Sequence, residues 1–160
     1  MMPEPLQIRR LDIQNDDEAR HLLALQLAAY EVEARLIGFK EIPPLQDTLE
    51  TLQACDETFF GCFLESALVG AISYKVKQET LDIYRVMVHP AYFRRGIAST
   101  LLRFAEDSVP EARRIIVSTG TNNLPACQLY LKQGFAKVKQ EEVEDGLFIT
   151  DFEKLRSSML

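Results

Sequence analysis

The stretch that decides the fold is residues 86–102, VMVHPAYFRRGIASTLL. Its first three residues end a predicted strand over 80–88, and Pro90 prevents that strand from continuing. A helix is predicted over 97–108, because apolar residues recur there at helical spacing. The chemistry of the chain is expected at this junction between strand and helix.

The first turn of that helix has the properties of an anion-binding site. Its N–H groups lack partners within the helix, and the helix dipole adds partial positive charge. Gly96 lets the backbone approach a phosphate closely, and Ala98 is small. Arg94 and Arg95 add positive charge, and Ser99 offers a hydroxyl. The loop is neither a P-loop nor a GxGxxG turn. Taken alone, it fits an ordinary helix start with surface arginines equally well.

Composition limits the class of protein. A chain of 160 residues with 47% hydrophobic residues fits one globular domain, predicted over 1–160. The net charge of −6 argues against a nucleic-acid partner, and no apolar run is long enough to predict a membrane span. Three cysteines without metal-ligand spacing predict reduced thiols, a cytoplasmic protein and no metal site.

The remaining elements follow from hydrophobic periodicity and turn residues. Their predicted order is a strand over 6–11, a helix from Asn15 or Asp16 to Gly38, a loop over 33–44, a helix opening at Pro43-Pro44, strands over 58–64, 67–77 and 80–88, a helix over 97–108, a strand over 114–119, a helix from Asn122 or Asn123 to Gly134, and strands over 135–143 and 147–155. The strands over 58–88 predict an antiparallel meander. A helical crossover makes strands 80–88 and 114–119 a parallel pair, so the sheet is mixed.

Two segments resemble motifs of the GNAT acetyltransferase superfamily. Residues 86–102 resemble its acetyl-CoA-binding motif, and residues 123–130, NLPACQLY, followed by Gly134-Phe135, resemble its second motif. The resemblance covers about residues 57–155, and before that only the strand-helix-helix layout matches. It implies an α/β (α+β-type) fold with a mixed, mostly antiparallel sheet of about seven strands, four helices, and a parallel pair that splays apart at the cofactor site.

The resemblance also implies roles for individual residues. The backbone of Val86, Met87 and Val88 is expected to bind the pantetheine arm of acetyl-CoA, and an N–H there is expected to polarise the acetyl carbonyl. The pyrophosphate is expected on the loop residues Arg94, Arg95, Gly96, Ile97, Ala98 and Ser99. Asn123 is expected to contact pantetheine.

Tyr130 matches the family's general acid, which protonates the departing thiolate. A phenol suits that task, because its reference pKa of ~10 lies above the ~8.5 of a thiol. The alternative is a half-buried helical tyrosine without a catalytic role. The resemblance also implies that Tyr130 lines the cofactor site.

The base that deprotonates the acceptor amine is less defined. Strict alternation puts Asp82 on the face shared by Tyr84, Val86 and Val88, and Asp82 matches the glutamate base of histone-type members. Its shorter side chain calls for a water relay, and the alternative is a solvated carboxylate at a strand end. The rivals are Glu31, Glu33 and Glu41, since the first two helices wall the acceptor site in this family.

Two positions depart from the family pattern. Phe93 replaces the common Arg or Gln of the loop, although backbone groups supply most pyrophosphate contacts. Ser118 replaces the glutamate base of ribosomal-protein-type members, which weakens a protein N-terminal acetyltransferase assignment that relies on that base.

The resemblance therefore implies direct acetyl transfer from acetyl-CoA to a primary amine of a small molecule or peptide. The alternatives are a non-catalytic acyl-CoA sensor, a protein N-terminal or lysine acetyltransferase, and an enzyme for a longer acyl group. The family often dimerises, so the last strands are candidates for a homodimer contact.

Overall fold

The computed structural model describes residues 5–157, and the predicted domain, 1–160, extends beyond them at both ends. The elements are β1 (Gln7–Arg10), α1 (Asp16–Ile37), α2 (Leu49–Ala54), β2 (Thr58–Leu64), β3 (Ala67–Lys77), β4 (Thr80–Val88), α3 (Ile97–Ser108), β5 (Arg114–Gly120), α4 (Leu124–Lys132), β6 (Ala136–Glu144) and β7 (Leu147–Leu155). Short 3₁₀ turns lie at Pro43–Leu45 and Pro90–Tyr92. Within residues 5–157, no helix is long and apolar enough to cross a membrane.

The seven strands of the described residues form one sheet in the order β1-β2-β3-β4-β5-β7-β6. Within residues 5–157, only the β4–β5 pair is parallel, and its two strands are joined by the single crossover helix α3. Residues of α1 and α2 build the core on one face, and residues of α3 and α4 build the core on the other. The predicted mixed, mostly antiparallel fold is confirmed.

Helix α1 is longer than the sequence predicted. Asn15 caps it by accepting a 3.1 Å bond from the Glu18 N–H, and Gly38 ends it in the left-handed region at φ +71°. The prediction of a loop over 33–44 is therefore wrong for residues 33–37, which belong to α1. Residues 33–37 are compatible with a helix and meet no breaker before Gly38, so Glu33 has a fixed helical position.

Helix α2 begins later than predicted. Pro43 and Pro44 form a 3₁₀ turn and do not open α2, which starts at Leu49. Thr48 and Thr51 form a reciprocal cap there, with bonds of 2.8 and 3.2 Å. This cap fixes the start of the helix.

A β-bulge at Tyr84 changes which face each side chain of β4 occupies. Val86 pairs with Ile72 on β3, whereas Asp82 pairs with Lys75, three residues further along β3. Directly paired residues share a face, and residues three apart on a regular strand lie on opposite faces. The prediction that Asp82 shares a face with Val86 is therefore wrong, because the bulge reverses the alternation between them.

The parallel pair splays apart as expected. β4 and β5 pair at three positions, the last of which joins Asp82 with Ile116. Beyond that point β4 continues on β3 and β5 continues on β7, over 83–88 and 117–120. A wedge therefore opens between the carboxyl ends of β4 and β5.

The bulge places Arg85 in a buried polar network on the α1/α2 face. Its guanidinium donates to Glu57 at 2.9 Å, to Asp47 at 2.8 Å and to Gln26 at 2.8 Å. Glu57 also accepts a 2.6 Å bond from Ser73. The side chains of Arg85, Asp47 and Glu57 are 13%, 19% and 7% exposed, so a largely desolvated polar network ties β4 to α1, to β3, and to the segments before α2 and β2.

Replacing Arg85 with methionine should lower the free energy of unfolding by about 3–5 kcal/mol, because two carboxylates lose their buried cation. Arg113→Ala is the control, since Arg113 and Glu79 form an exposed pair whose side chains are 60% and 59% accessible, and its loss should cost less than about 1 kcal/mol. Urea denaturation of both variants measures the difference. Equal losses would contradict the structural role of Arg85.

Candidate functional site

The wedge contains a cavity of about 560 Å³, within the usual size range of small-molecule sites. It extends from the first turn of α3, past the ends of β4 and α1, to Tyr130 on α4. The predicted cofactor residues that line it are Val86, Met87, Val88, Arg94, Gly96, Ile97, Ala98, Ser99, Asn123 and Tyr130. Arg95 does not line it, and its guanidinium lies 5.2 Å from the centroid of the Tyr92 ring instead.

The loop before α3 presents backbone donors to this cavity. Arg94 and Gly96 have φ values of +65° and +75°, and Gly96 is the N-cap of α3 without any side-chain cap bond. A Cβ on Gly96 would meet no atom within 4 Å. The glycine is therefore favoured by its left-handed backbone, which costs other residues roughly 1–2 kcal/mol, rather than by crowding. Such a turn at a helix start suits an anion.

Asn123 has two structural tasks at the wedge. Its side-chain oxygen caps α4 by accepting a 3.3 Å bond from the Ala126 N–H. Its amide nitrogen donates to Glu33 Oε1 at 2.8 Å and lies 3.4 Å from Thr119 Oγ1. The side chain is buried, so Asn123 links α4 to α1 inside the site.

Glu33 is the rival carboxylate that the structure brings into the site. It lines the large cavity and also a smaller neighbouring cavity of about 160 Å³. Burial raises the pKa of Glu33, and its hydrogen bonds with Asn123 and Thr119 oppose part of that rise. By contrast, Glu31 is exposed and lies 3.8 Å from Arg35, and Glu41 is exposed and lines neither cavity.

Tyr130 lies where the two cavities meet. Its ring packs against Phe135 at 5.8 Å and Phe152 at 5.4 Å between centroids, which fixes its orientation. Burial raises the pKa of Tyr130, and the nearby charge of Glu33 raises it further. The phenol is therefore protonated at neutral pH, as a proton donor must be.

Asp82 does not join this group. It lines neither cavity, and it faces Lys75 across the β3–β4 pair. Burial raises the pKa of Asp82, while the nearby charge of Lys77 opposes that rise. Its role as the base remains a prediction, which its position does not support.

Tyr30 is the residue that the sequence assigned only to an apolar helix stripe. It is buried, lines both cavities, and lies close to Tyr130. Burial raises the pKa of Tyr30, and the Val86 backbone N–H opposes that rise by hydrogen bonding to the hydroxyl. No sequence motif marks Tyr30, because an aromatic residue in a helix stripe is more often part of the core.

The sequence predicts no metal site. Among the residues that the structure describes, His, Cys, Asp and Glu side chains form no group of three or more with metal-binding geometry. The three cysteines are free thiols.

Comparison with known proteins agrees with this fold. The chain belongs to the acetyltransferase (GNAT) family, which residues 20–135 match. It is similar to the UPF0157 protein YqkA of Bacillus subtilis (strain 168), with 41% identity over 134 residues, covering 84% of this chain and 39% of that protein. It is also 34% identical over 83 residues to the streptothricin acetyltransferase of Escherichia coli, covering 50% of this chain and 48% of that enzyme. The matches thus span less than half of each of these relatives.

Solved structures share the fold at low sequence identity. The PaiA N-acetyltransferase of Thermoplasma acidophilum, in complex with coenzyme A, has a TM-score of 0.75 and 22% identity, covering 94% of this chain and 99% of that chain. The ribosomal-protein-S18-alanine N-acetyltransferase of Escherichia coli has a TM-score of 0.76 and 15% identity, covering 98% and 97%. Both likenesses concern the fold.

Proposed function

We propose that this chain transfers an acetyl group directly from acetyl-CoA to a primary amine of a small molecule or peptide. The observation that carries the proposal is the single cavity that joins the uncapped start of α3 to the buried phenol of Tyr130. Membership of the acetyltransferase family supports the same conclusion.

Acetyl-CoA fits the chemistry of this cavity from one end to the other. The pyrophosphate suits the backbone donors of residues 96–99 and the positive charge of Arg94. The pantetheine arm carries amides, which suit the edge of β4 over 86–88 where β5 has separated from it. A backbone N–H at this edge can stabilise charge that develops on the acetyl oxygen.

The reaction needs a proton at the sulfur when the thioester breaks. Tyr130 holds a proton at neutral pH and is oriented by two aromatic rings inside the cavity. Binding both substrates in the wedge makes the attack effectively unimolecular, which can supply a large share of the rate. No step requires a metal, and the free thiols accord with a cytoplasmic location.

Three measurements test the proposal. Calorimetry should detect acetyl-CoA binding, and release of free thiol should accompany acetylation of at least one amine in a panel of alkyl diamines, amino acids, lysine peptides and peptide N-termini. Mass spectrometry should show one acetyl group on the amine. Acetyl-CoA binding without thiol release on any amine would contradict transfer and favour the sensor.

Replacing Tyr130 with phenylalanine should lower kcat by about 10²–10⁴-fold, because the ring remains and only the proton donor is lost. The Kd for acetyl-CoA should stay nearly unchanged. Tyr74→Phe is the matched control, since Tyr74 is also buried but lines neither cavity. An unchanged kcat in the Tyr130 variant would remove this residue from the acid role.

We further propose that the chain forms a homodimer through β6, the edge strand of the sheet. All nine β6 residues are exposed, and its pairing with β7 skips Val138 and Val143. Two copies that run antiparallel about a two-fold axis near Gln140 place the half of β6 that carries Lys137 and Lys139 beside the half that carries Glu142 and Glu144.

Charge reversal tests this contact. Changing Lys137 and Lys139 to glutamate makes both halves of β6 acidic, so like charges lie beside each other across the contact, and this should convert a dimer into a monomer in size-exclusion chromatography with light scattering. Adding Glu142→Lys and Glu144→Lys should restore the dimer. A monomeric wild-type chain would overturn the proposal.

A further inference from the structure

The smaller cavity lies directly beside the cofactor cavity. It is enclosed by α1, by the 3₁₀ turn at Pro43–Leu45, and by the ends of β5 and β7. The two cavities share four lining residues, which are Tyr30, Glu33, Val86 and Tyr130. A group that enters through the smaller cavity therefore reaches the predicted reaction centre from the side opposite the α3 loop.

The electrostatics of the smaller cavity favour a cation. Among the described residues that line the two cavities, Glu33 is the one carboxylate, and those of the smaller cavity include no lysine, arginine or histidine. Much of the rest of its wall is apolar, with Ile42, Pro43 and Ile149 among its members. An ammonium group would thus find one negative charge, at the inner end of an apolar passage.

The position of Glu33 is fixed by other parts of the fold. Asn123 donates to its Oε1 at 2.8 Å, and Asn123 is itself held as the N-cap of α4. Tyr130 lies on the same helix, α4, and the negative charge of Glu33 raises the pKa of its hydroxyl. The carboxylate and the phenol are consequently held near each other by one short helix.

From this geometry we infer that the smaller cavity receives the acceptor as an alkylammonium and that Glu33 is the base that takes its proton. This inference rests on the acetyl transfer proposed above, and it names the acceptor class and the base for that reaction. It also replaces Asp82, whose carboxylate lines neither cavity.

The proton and electron balance of the step is complete. Glu33 accepts one proton from R–NH₃⁺, and the nitrogen lone pair of R–NH₂ then forms the new C–N bond at the acetyl carbon. When the C–S bond breaks, its electron pair goes to sulfur, which takes the Tyr130 proton and leaves as the free thiol. The nitrogen gives its second proton to the phenolate, directly or through water, and Glu33 later releases its proton to solvent.

The size and charge of the cavity narrow the acceptor class. A volume of about 160 Å³ holds roughly five non-hydrogen atoms, at ~30 Å³ for each water-sized group. The cavity therefore fits a short aminoalkyl arm, with any larger body of the acceptor left outside. A free α-amino acid would bring a second carboxylate beside Glu33 without a cation to receive it, so we expect alkylamines to be preferred over free amino acids.

Glu33→Gln tests the base directly. The glutamine oxygen can still accept from Asn123, so acetyl-CoA affinity should be unchanged, while kcat/KM for an alkylamine should fall by about 10²–10⁴-fold. Glu31→Gln is the matched control, because Glu31 lies on the same helix and is exposed to solvent. Asp82→Asn tests the rival base in the same assay.

A pH profile separates a base from a structural role. The carboxylate form is the active one, so kcat/KM should rise as pH rises through the elevated pKa of Glu33, and this limb should disappear in Glu33→Gln. The titratable and polar groups around Glu33 are Tyr30, Thr119, Asn123, Cys127 and Tyr130. Burial raises the pKa values of the three that titrate, Tyr30, Cys127 and Tyr130, so they stay neutral while Glu33 loses its proton.

The location of the acceptor is tested independently of the base. Ile149→Phe should fill part of the smaller cavity and raise KM for n-butylamine without changing the Kd for acetyl-CoA, because Ile149 lines the smaller cavity alone. n-Butylamine should also outperform free 4-carbon α-amino acids by at least about tenfold, the effect of ~1.4 kcal/mol.

The outcomes are distinct. Thiol release by the wild-type chain with Glu33→Gln equal to Glu31→Gln would overturn Glu33 as the base and leave the proposed acetyl transfer intact. If Asp82→Asn lost activity while Glu33→Gln kept it, the assignment of Glu33 as the base would be overturned and Asp82 would be the base. An unchanged amine KM in Ile149→Phe, or a preference for free amino acids, would overturn the assignment of the cavity. Absence of thiol release from the wild-type chain would defeat the proposed function itself.

Discussion

Backbone pairing between β4 and β5 stops after three residue pairs, and the site depends on that termination. In a fully paired sheet, both strand edges would be saturated and no cavity could form between them. Here each strand keeps one partner, β3 or β7, so the sheet remains continuous while its centre opens. The gap supplies unpaired backbone for a ligand, and helices from both faces contribute side chains to it.

Most of the fold could be predicted from the sequence because its elements have local signals. The Gly96 junction, the Asn123 cap and the strand alternation over 58–88 each lie within a few neighbouring residues. The bulge at Tyr84 has no such signal, since it is defined by pairing with β3. It reversed the expected face of Asp82 and brought Arg85 into contact with residues far away in the chain.

The candidate site was predictable to the extent that a motif marks it. The cofactor residues follow two recognisable segments, and all of them except Arg95 line the cavity. Glu33 and Tyr30 lie in a helix whose sequence specifies an apolar stripe and little more. Their proximity to Tyr130 depends on how α1 crosses the sheet, which is a long-range property. Sequence reasoning could name Glu33 as one of several carboxylates but could not choose it.

The bond between Asn123 and Glu33 has a mechanical consequence. α1 packs with the strands on one side of the gap, and α4 follows the strand on its other side. At the open end, where the backbones no longer bond, this contact acts as a strut between the two halves of the molecule. Because it is formed by two side chains near the reacting groups, the width of the opening and the spacing of those groups are set together.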